Sequence, residues 1–157
     1  MHKAASQMSP REHAIDLLAR REYGHEELRG RLLAKGHAVE DIDHALASLV
    51  DQGLQSDRRF AESFLRGRLM RGQGPVKMLA ELGQRGVDRA LAREALADVE
   101  REESVDWYRL ASEALERRFG REVPADARDR ARRERFLAGR GFDFDQVREA
   151  VRALGDH

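Results

Sequence analysis

Cationic side chains are concentrated in the middle of this sequence, and their chemistry is the easiest to interpret. Between positions 58 and 77 the cations include Arg58, Arg59, Arg66, Arg68, Arg71 and Lys77. Guanidinium and ammonium groups donate hydrogen bonds to phosphates and carboxylates, and the guanidinium does so as a planar fork. More cations lie here than the capping of helix ends requires. We therefore predict that this segment binds an acidic partner.

A second cationic pattern is tied to predicted turns. An arginine stands three residues before a turn glycine at three places in the sequence, Arg21, Arg71 and Arg117. A cation in the last turn of a helix complements the helix dipole, so a purely structural role is one open interpretation. The other interpretation is a periodic row of cations that meets a periodic partner. We include all three arginines in the predicted binding surface.

The sequence lacks the patterns of a catalytic or metal site. Its six histidines include His37 and His44, which are seven residues apart, without a His-Glu-x-x-His pattern or any cysteine. The segment RGQGP lacks the ending of a phosphate-binding loop, and no Gly-x-Ser-x-Gly elbow occurs. Acidic residues alternate with arginine, which is typical of ion pairs on helix surfaces. We expect no enzymatic activity, no metal and no cofactor.

Composition restricts the environment and the partners of the chain. Its 157 residues include 29 Lys and Arg and 29 Asp and Glu, so contact with a polyanion depends on local patches rather than on net charge. The absence of cysteine fits a reducing cytoplasm. No apolar run approaches the roughly 20 residues that cross a bilayer, and no signal peptide is evident. We expect a cytoplasmic protein without membrane contact.

A helical unit that occurs three times positions these side chains. The copies are aligned on three glycines, Gly36, Gly86 and Gly141, each predicted to end a helix in the left-handed conformation. The columns that agree are Leu32, Leu82 and Leu137; Ala45, Ala95 and Ala150; Leu46, Leu96 and Val151; and Leu49, Val99 and Leu154. Agreement in four columns indicates a true repeat. The small alanine lets the third helix of each unit approach its neighbour closely.

These repeats predict an all-α fold of three tandem three-helix repeats that form an elongated, curved body. Strand signals are absent. We assign a disordered lead-in to residues 1–9 and the repeats to residues 10–56, 57–104 and 105–157. The third copy has nine extra residues between its turn glycine and its capping glycine. A longer loop, a longer second helix or both are expected there.

Helix ends and inward positions are also predicted. Ser9-Pro10-Arg11-Glu12 is a capping box that starts the first helix, which we expect to end near Tyr23-Gly24. The next helices are predicted at 25–35 and 39–52, and Asp88 and Asp143 are predicted N-caps, with Ala38 in their place in the first copy. The predicted inward residues include Ala14, Ile15, Leu17, Leu18, Leu28, Leu33, Ile42, Val50, Phe60, Phe64, Leu65, Leu79, Trp107, Tyr108, Leu110, Ala111 and Leu115.

Two segments carry a resemblance to a known family. They are REHAIDLLARREYGHEELRGRLLAKG and DQGLQSDRRFAESFLRGRLMRGQGPVKMLAELGQRGV. These segments are similar to the RecX family, bacterial regulators of the recombinase RecA. The most specific parts belong to the second segment. They are the residues Asp57, Arg59 and Phe60, the arginine-rich stretch before GQGP, and the residues around Leu82. One departure is Val76, where the family often has a cation, which leaves Lys77 as the cation after the proline.

The resemblance implies a regulator without catalysis of its own. It implies binding within the groove of the filament that RecA forms on single-stranded DNA. Such binding would limit filament assembly, ATP hydrolysis and strand exchange in DNA repair and the SOS response. We expect a monomer that contacts single-stranded DNA only weakly, without specificity, or through the filament. The rival interpretation is a direct DNA-binding protein with helix-turn-helix-like units, and a structural scaffold is a third.

Overall fold

A computed structural model of the chain describes residues 7–156. The predicted lead-in at 1–9 lies mostly outside these described residues. Residues 7–156 contain no strand, and their α-helices are α1 (Pro10–Leu18), α2 (His25–Ala34), α3 (Val39–Asp51), α4 (Asp57–Met70), α5 (Pro75–Gln84), α6 (Arg89–Glu102), α7 (Trp107–Phe119), α8 (Ala127–Gly139) and α9 (Phe144–Ala153). A short 3-10 turn, Leu154–Asp156, follows. None of the helices within 7–156 has the length and apolar content of a membrane span.

The chain forms two compact units. The first comprises the described residues of Met1–Phe64 together with Leu82–Ala95, and the second comprises Leu65–Glu81 with the described residues of Leu96–His157. Residues of the second repeat therefore belong to both units. In the first unit α1 and α2 pack on α3, and in the second α7 and α8 pack on α9.

The aligned columns form the cores of the two units, as predicted. Leu32, Leu82 and Leu137 are completely buried, and every member of the other three columns is also buried. In the first unit a cluster around Leu28, Ile42 and Leu46 joins α1, α2 and α3. Burial of large aliphatic side chains is the main source of stability for helices this short. The all-α tandem-repeat prediction is therefore confirmed at the positions on which it was based.

Helix ends follow the predicted capping chemistry. Ser9 Oγ accepts a hydrogen bond from Glu12 N, and Asp143 forms a capping box with Gln146 at the start of α9. Asp88 Oδ2 accepts from Leu91 N at 3.2 Å, whereas Ala38 provides no side-chain cap for α3. The three capping glycines have φ angles of 89°, 83° and 100°, in the left-handed region that favours glycine. The third repeat gains both a longer loop and a longer second helix, α8.

Some sequence predictions of local structure were wrong. α1 ends at Leu18 rather than near Tyr23, because residues 19–24 form a turn in which the carbonyl of buried Tyr23 accepts a hydrogen bond from Gln55 Nε2. His13 takes an inward position on α1, and Ile15 is exposed instead. The other residues predicted to be inward but found exposed are Leu33, Val50 and Tyr108. Phe64 and Leu79 are half-buried.

Candidate anion-binding interface

Arg21, the first arginine of the turn pattern, is held by its own repeat. Its two terminal nitrogens donate to the two carboxylate oxygens of Glu27, each at 3.2 Å. Nη1 also donates to the carbonyl of Glu22 at 2.8 Å, and the guanidinium lies 3.6 Å from the centre of the Tyr23 ring. A guanidinium that is both paired and stacked has little capacity left for an external anion. Arg21 lies beyond the end of α1, so it is not the last-turn cation that the sequence predicted, and it is held by an internal ion pair and an aromatic contact instead.

Glu27 is the centre of a small ionic network in the first unit. Besides Arg21 it accepts from Arg85 Nη1 at 3.0 Å and from the backbone N–H of Gly24 at 3.3 Å. Burial by itself would raise the pKa of Glu27, but the hydrogen bond and charge of Arg21, the Gly24 N–H and the charge of Arg85 hold that pKa below its ordinary value of 4.5. The carboxylate is therefore ionised at neutral pH. It neutralises cations contributed by two repeats.

The equivalent position in the second repeat has the opposite charge. Lys77 stands fifty residues after Glu27 and occupies the same third position of its helix, α5. Arg71, the counterpart of Arg21, consequently faces no such carboxylate. Its side chain is exposed and makes no hydrogen bond or ion pair with any residue between 7 and 156.

A tight backbone contact replaces the ionic network at this place in the second unit. Arg140 stands directly before a capping glycine, as Arg85 does in the second repeat. The Nη2 atom of Arg140 donates to the carbonyl of Arg71 at 2.9 Å and to the carbonyl of Gly72 at 3.4 Å. The Gly74 N–H donates to the carbonyl of Arg140 at 2.8 Å, and the Val76 N–H donates to that of Gly141 at 2.9 Å. These hydrogen bonds fix the turn that carries Arg71.

Four arginines gather around one cleft of the second unit, which we call the arginine cleft: Arg71, Arg117, Arg118 and Arg140. The cleft has a volume of about 480 Å³, and none of its described lining residues is a carboxylate. Apolar atoms of its walls come from Leu69, Leu110, Ala114 and Phe136. Met70 at its edge is 90% exposed. An arginine-lined cleft with apolar walls and no counter-charge fits an anionic partner.

Arg117 is the other turn arginine in this cleft. It lies in the last turn of α7, is exposed, and has no ion pair with the part of the chain that the structure describes. Its neighbour Arg118 lies 5.1 Å from the centre of the Phe119 ring. Two of the three arginines of the turn pattern therefore come together in the second unit.

The remaining predicted cations are engaged in internal ion pairs. Arg58 pairs with Glu62 and Glu94, and Arg59 pairs with Glu22. Arg66 pairs with Glu102 and Glu103, and Arg68 pairs with Glu81 at 3.1 Å with both side chains largely buried. Their charges are largely compensated within each unit. Lys77, by contrast, is exposed and has no ion pair among residues 7–156.

Three residues of the cleft were not predicted from the sequence: Arg118, Arg140 and Met70. A signal for Arg140 was present, since Arg85 and Arg140 both stand one residue before a capping glycine. Arg118 follows Arg117 directly but belongs to no repeat column, and Met70 was overlooked because an exposed methionine in an apolar pattern resembles a core residue. Their proximity arises from the packing of α7 and α8, which sequence spacing does not encode.

Other clefts and side-chain clusters are weaker candidates for a binding site. A larger cleft of about 820 Å³ in the third repeat is lined by arginines and by about as many carboxylates, among them Arg148, Glu134 and Asp145, so its charges balance. His13 and His37 are in hydrogen-bond contact, Nδ1 to Nε2, at 3.3 Å. Within 7–156 no three histidine, aspartate or glutamate side chains come together as metal ligands would.

The fold and the cleft together define an all-α protein of tandem three-helix repeats, with an arginine-lined cleft in its second compact unit. Family models match it along most of its length: RecX, first three-helix domain, at residues 11–49; RecX, second three-helix domain, at 56–96; and RecX, third three-helix domain, at 105–151. The chain belongs to the RecX family.

Relatives with this family name cover nearly the whole chain. The Regulatory protein RecX of Chromohalobacter salexigens is 56% identical over 149 residues, 94% of each chain. That of Halorhodospira halophila is 45% identical, over 97% of this chain and 92% of its own. The crystal structure of RecX from Lactobacillus salivarius matches with a TM-score of 0.74 over 94% of this chain and 96% of that one, at 21% identity, and supports the fold. The chain is thus a RecX-type regulatory protein.

Proposed function

We propose that this chain is a non-enzymatic modulator of RecA nucleoprotein filaments, which binds along the filament groove and limits recombinase activity in DNA repair and the SOS response. Its membership in a family of regulatory proteins supports this proposal. The observation that carries it at the residue level is the arginine cleft, which four arginines line and to which residues 7–156 contribute no carboxylate. The proposed site of action is the cytoplasm, and the proposed active form is a monomer.

The arginine cleft suits a filament of protein and nucleic acid because the filament offers the phosphates of its DNA and the carboxylates of its protein subunits as anionic contacts. Arg71 and Arg117 are exposed and uncompensated within the described chain, so neither loses an internal ion pair when a partner binds. The paired arginines would have to break an internal ion pair in order to bind a partner, so they contribute less to binding: Arg58, Arg59, Arg66 and Arg68. We therefore assign the principal contacts to the cleft and secondary contacts to the paired arginines.

The proposal is tested by titrating this protein into a DNA-dependent ATPase assay of the cognate RecA. We expect the ATPase rate to fall as the protein is added, because a ligand in the groove opposes the active filament. The protein alone is expected to bind naked DNA weakly, with a steep salt dependence and no sequence preference. Tight sequence-specific binding to duplex DNA, with an unchanged ATPase rate, would instead establish the direct DNA-binding alternative.

A further inference from the structure

We propose that the charge at the third position of a repeat's second helix decides whether the turn arginine is neutralised internally or is available to a phosphate. In the second repeat Lys77 keeps Arg71 available, and the arginine cleft thereby binds the phosphodiester chain of a single-stranded nucleic acid. This inference rests on the proposed function, since it assigns the cleft's ligand. It makes Lys77 a positioning residue for Arg71.

The first repeat shows what a carboxylate does at this position. Glu27 follows Arg21 by six residues and holds both terminal nitrogens of its guanidinium at 3.2 Å. Lys77 follows Arg71 by the same six residues. The turn glycines Gly24 and Gly74 stand at the same place between the two members of each pair. The two turns differ in backbone, since α1 ends at Leu18 whereas α4 continues to Met70 and Gly72 has a φ of 78°. From the shared six-residue spacing we expect a carboxylate at position 77 to pair with Arg71.

The helix dipole gives no reason for a positive charge at position 77. The first turn of a helix carries the positive end of the helix dipole, where Glu is favourable and Lys is unfavourable. Lys77 is exposed, and Glu81, on the next turn of α5, is already paired with Arg68. The lysine therefore adds positive potential to a turn that already bears Arg71. A locally unfavourable charge that increases the field of a cleft is expected at a functional site.

The walls of the cleft favour a single-stranded nucleic acid over an acidic peptide. Guanidinium forks match phosphate oxygens, and unpaired bases present apolar faces that a duplex keeps stacked inside. Met70 is 90% exposed at the edge of the cleft, and the half-buried Phe136 contributes to its wall. These side chains offer apolar contact beside the cations. An acidic peptide would satisfy the arginines but has no general need for that apolar contact.

The test compares two substitutions at one exposed position. Binding of a labelled oligothymidylate to the purified protein, without recombinase, is measured across a range of salt concentrations for the wild type, Lys77→Glu and Lys77→Gln. Lys77→Gln removes one charge and is expected to weaken binding about threefold, as for one exposed phosphate contact. Lys77→Glu is expected to weaken it by about tenfold or more, since it also engages Arg71. The melting temperature of each variant controls for folding, and the Lys77→Glu protein is expected to keep the fold.

A double-mutant cycle with Arg71→Gln separates positioning from simple charge. If Lys77 acts through Arg71, Lys77→Glu should weaken oligothymidylate binding by a clearly smaller factor in the Arg71→Gln protein than in the wild type. Equal losses in the two backgrounds, or equal effects of Lys77→Glu and Lys77→Gln, would overturn the inference.

The oligonucleotide assay also distinguishes this inference from the proposed function. A wild-type protein that lowers the recombinase ATPase rate but does not bind the oligothymidylate would leave the proposed function intact and refute the inference. The cleft would then bind an acidic face of the recombinase. A protein that binds the oligothymidylate with the predicted pattern of losses, but leaves the ATPase rate unchanged, would support the site and reject the filament proposal.

Discussion

Glu27 and Lys77 occupy the same sequence position in two repeats, and the arginines that precede them by six residues differ in their contacts. In the first unit Glu27 collects Arg21, Arg85 and the Gly24 N–H into one ionic network. In the second unit Arg71 is exposed. At the scale of single residues, the structure therefore separates arginines that are paired internally from arginines that are exposed and have no ion pair within the described residues, although the sequence pattern groups them together.

Replacing Glu27 by Gln should destabilise the first unit by about 1–2 kcal/mol, because a largely buried carboxylate that accepts four hydrogen bonds is lost and two guanidinium groups lose their counter-charge. Chemical denaturation followed by circular dichroism measures the loss. The matched control is Asp43→Asn, at the more exposed Arg29–Asp43 pair, which should cost less. A loss no larger than that of the control would show that the network does not contribute to folding.

His13 should make the stability of the first unit sensitive to mild acid. Burial, then the charges of His37 and Lys35, hold the pKa of His13 below its ordinary value of 6.5, and only Asp16 opposes them. A histidine whose pKa is lowered by folding contributes stability above pH 6.5 that is lost as the pH falls through the folded pKa. Thermal unfolding of the wild type should therefore occur at lower temperature in mildly acidic buffer.

His13→Gln should flatten this pH dependence, whereas substitution of the exposed His44 by Gln should leave it unchanged. The measurement is the melting temperature of the three proteins on both sides of pH 6.5. An equally steep pH dependence in the His13→Gln protein would place the sensitive group elsewhere.

At the scale of helices and turns, alanine substitutions at two nearby glycines should change the stability of the protein in opposite directions. Gly74 lies in the turn before α5, and Gly83 lies within α5. A Cβ at Gly74 would lie 2.3 Å from the carbonyl carbon of Gly141, so the turn and its hydrogen bonds would have to shift. Gly74→Ala should therefore destabilise the protein by more than about 2 kcal/mol.

Gly83→Ala is the control within the same helix. A Cβ at Gly83 would meet no heavy atom of another element within 4 Å, so alanine there should add about 0.5–1 kcal/mol through its higher helix propensity. Denaturant midpoints of the two variants give the comparison. A neutral Gly74→Ala would contradict the close backbone contact between the two turns.

Much of the secondary structure could be predicted because helix caps and core columns are local signals. Gly36, Gly86 and Gly141 ended their helices as predicted, and the aligned leucine and alanine columns are buried. Helix faces were harder to predict in the short α1, where His13 rather than Ile15 faces inward. With two or three turns per helix, a single polar residue that finds a partner can shift the buried face.

At the scale of the whole chain, the sequence predicted a cationic middle but not which cations are available. Apart from the local Arg58–Glu62 pair, the carboxylate partners of these arginines lie 13 to 37 residues away in the sequence, and such long-range pairs have no spacing rule: Arg58, Arg59, Arg66 and Arg68. The arginine cleft likewise gathers side chains from positions 71 and 140. The repeat boundaries, the extended curved body and the binding role of these arginines stay predictions.

The central claim is that the arginine cleft is where this protein meets the RecA filament. Its most direct test is the DNA-dependent ATPase rate of the cognate RecA, titrated with the wild type, with Arg71→Glu/Arg117→Glu, and with Arg89→Glu/Arg93→Glu as a control of equal net charge outside the cleft. We predict that the cleft variant requires about tenfold or more protein for half-maximal inhibition, because two exposed charge contacts are reversed, while the control inhibits like the wild type. Equal inhibition by the two variants, with helix content unchanged in both, would contradict the claim.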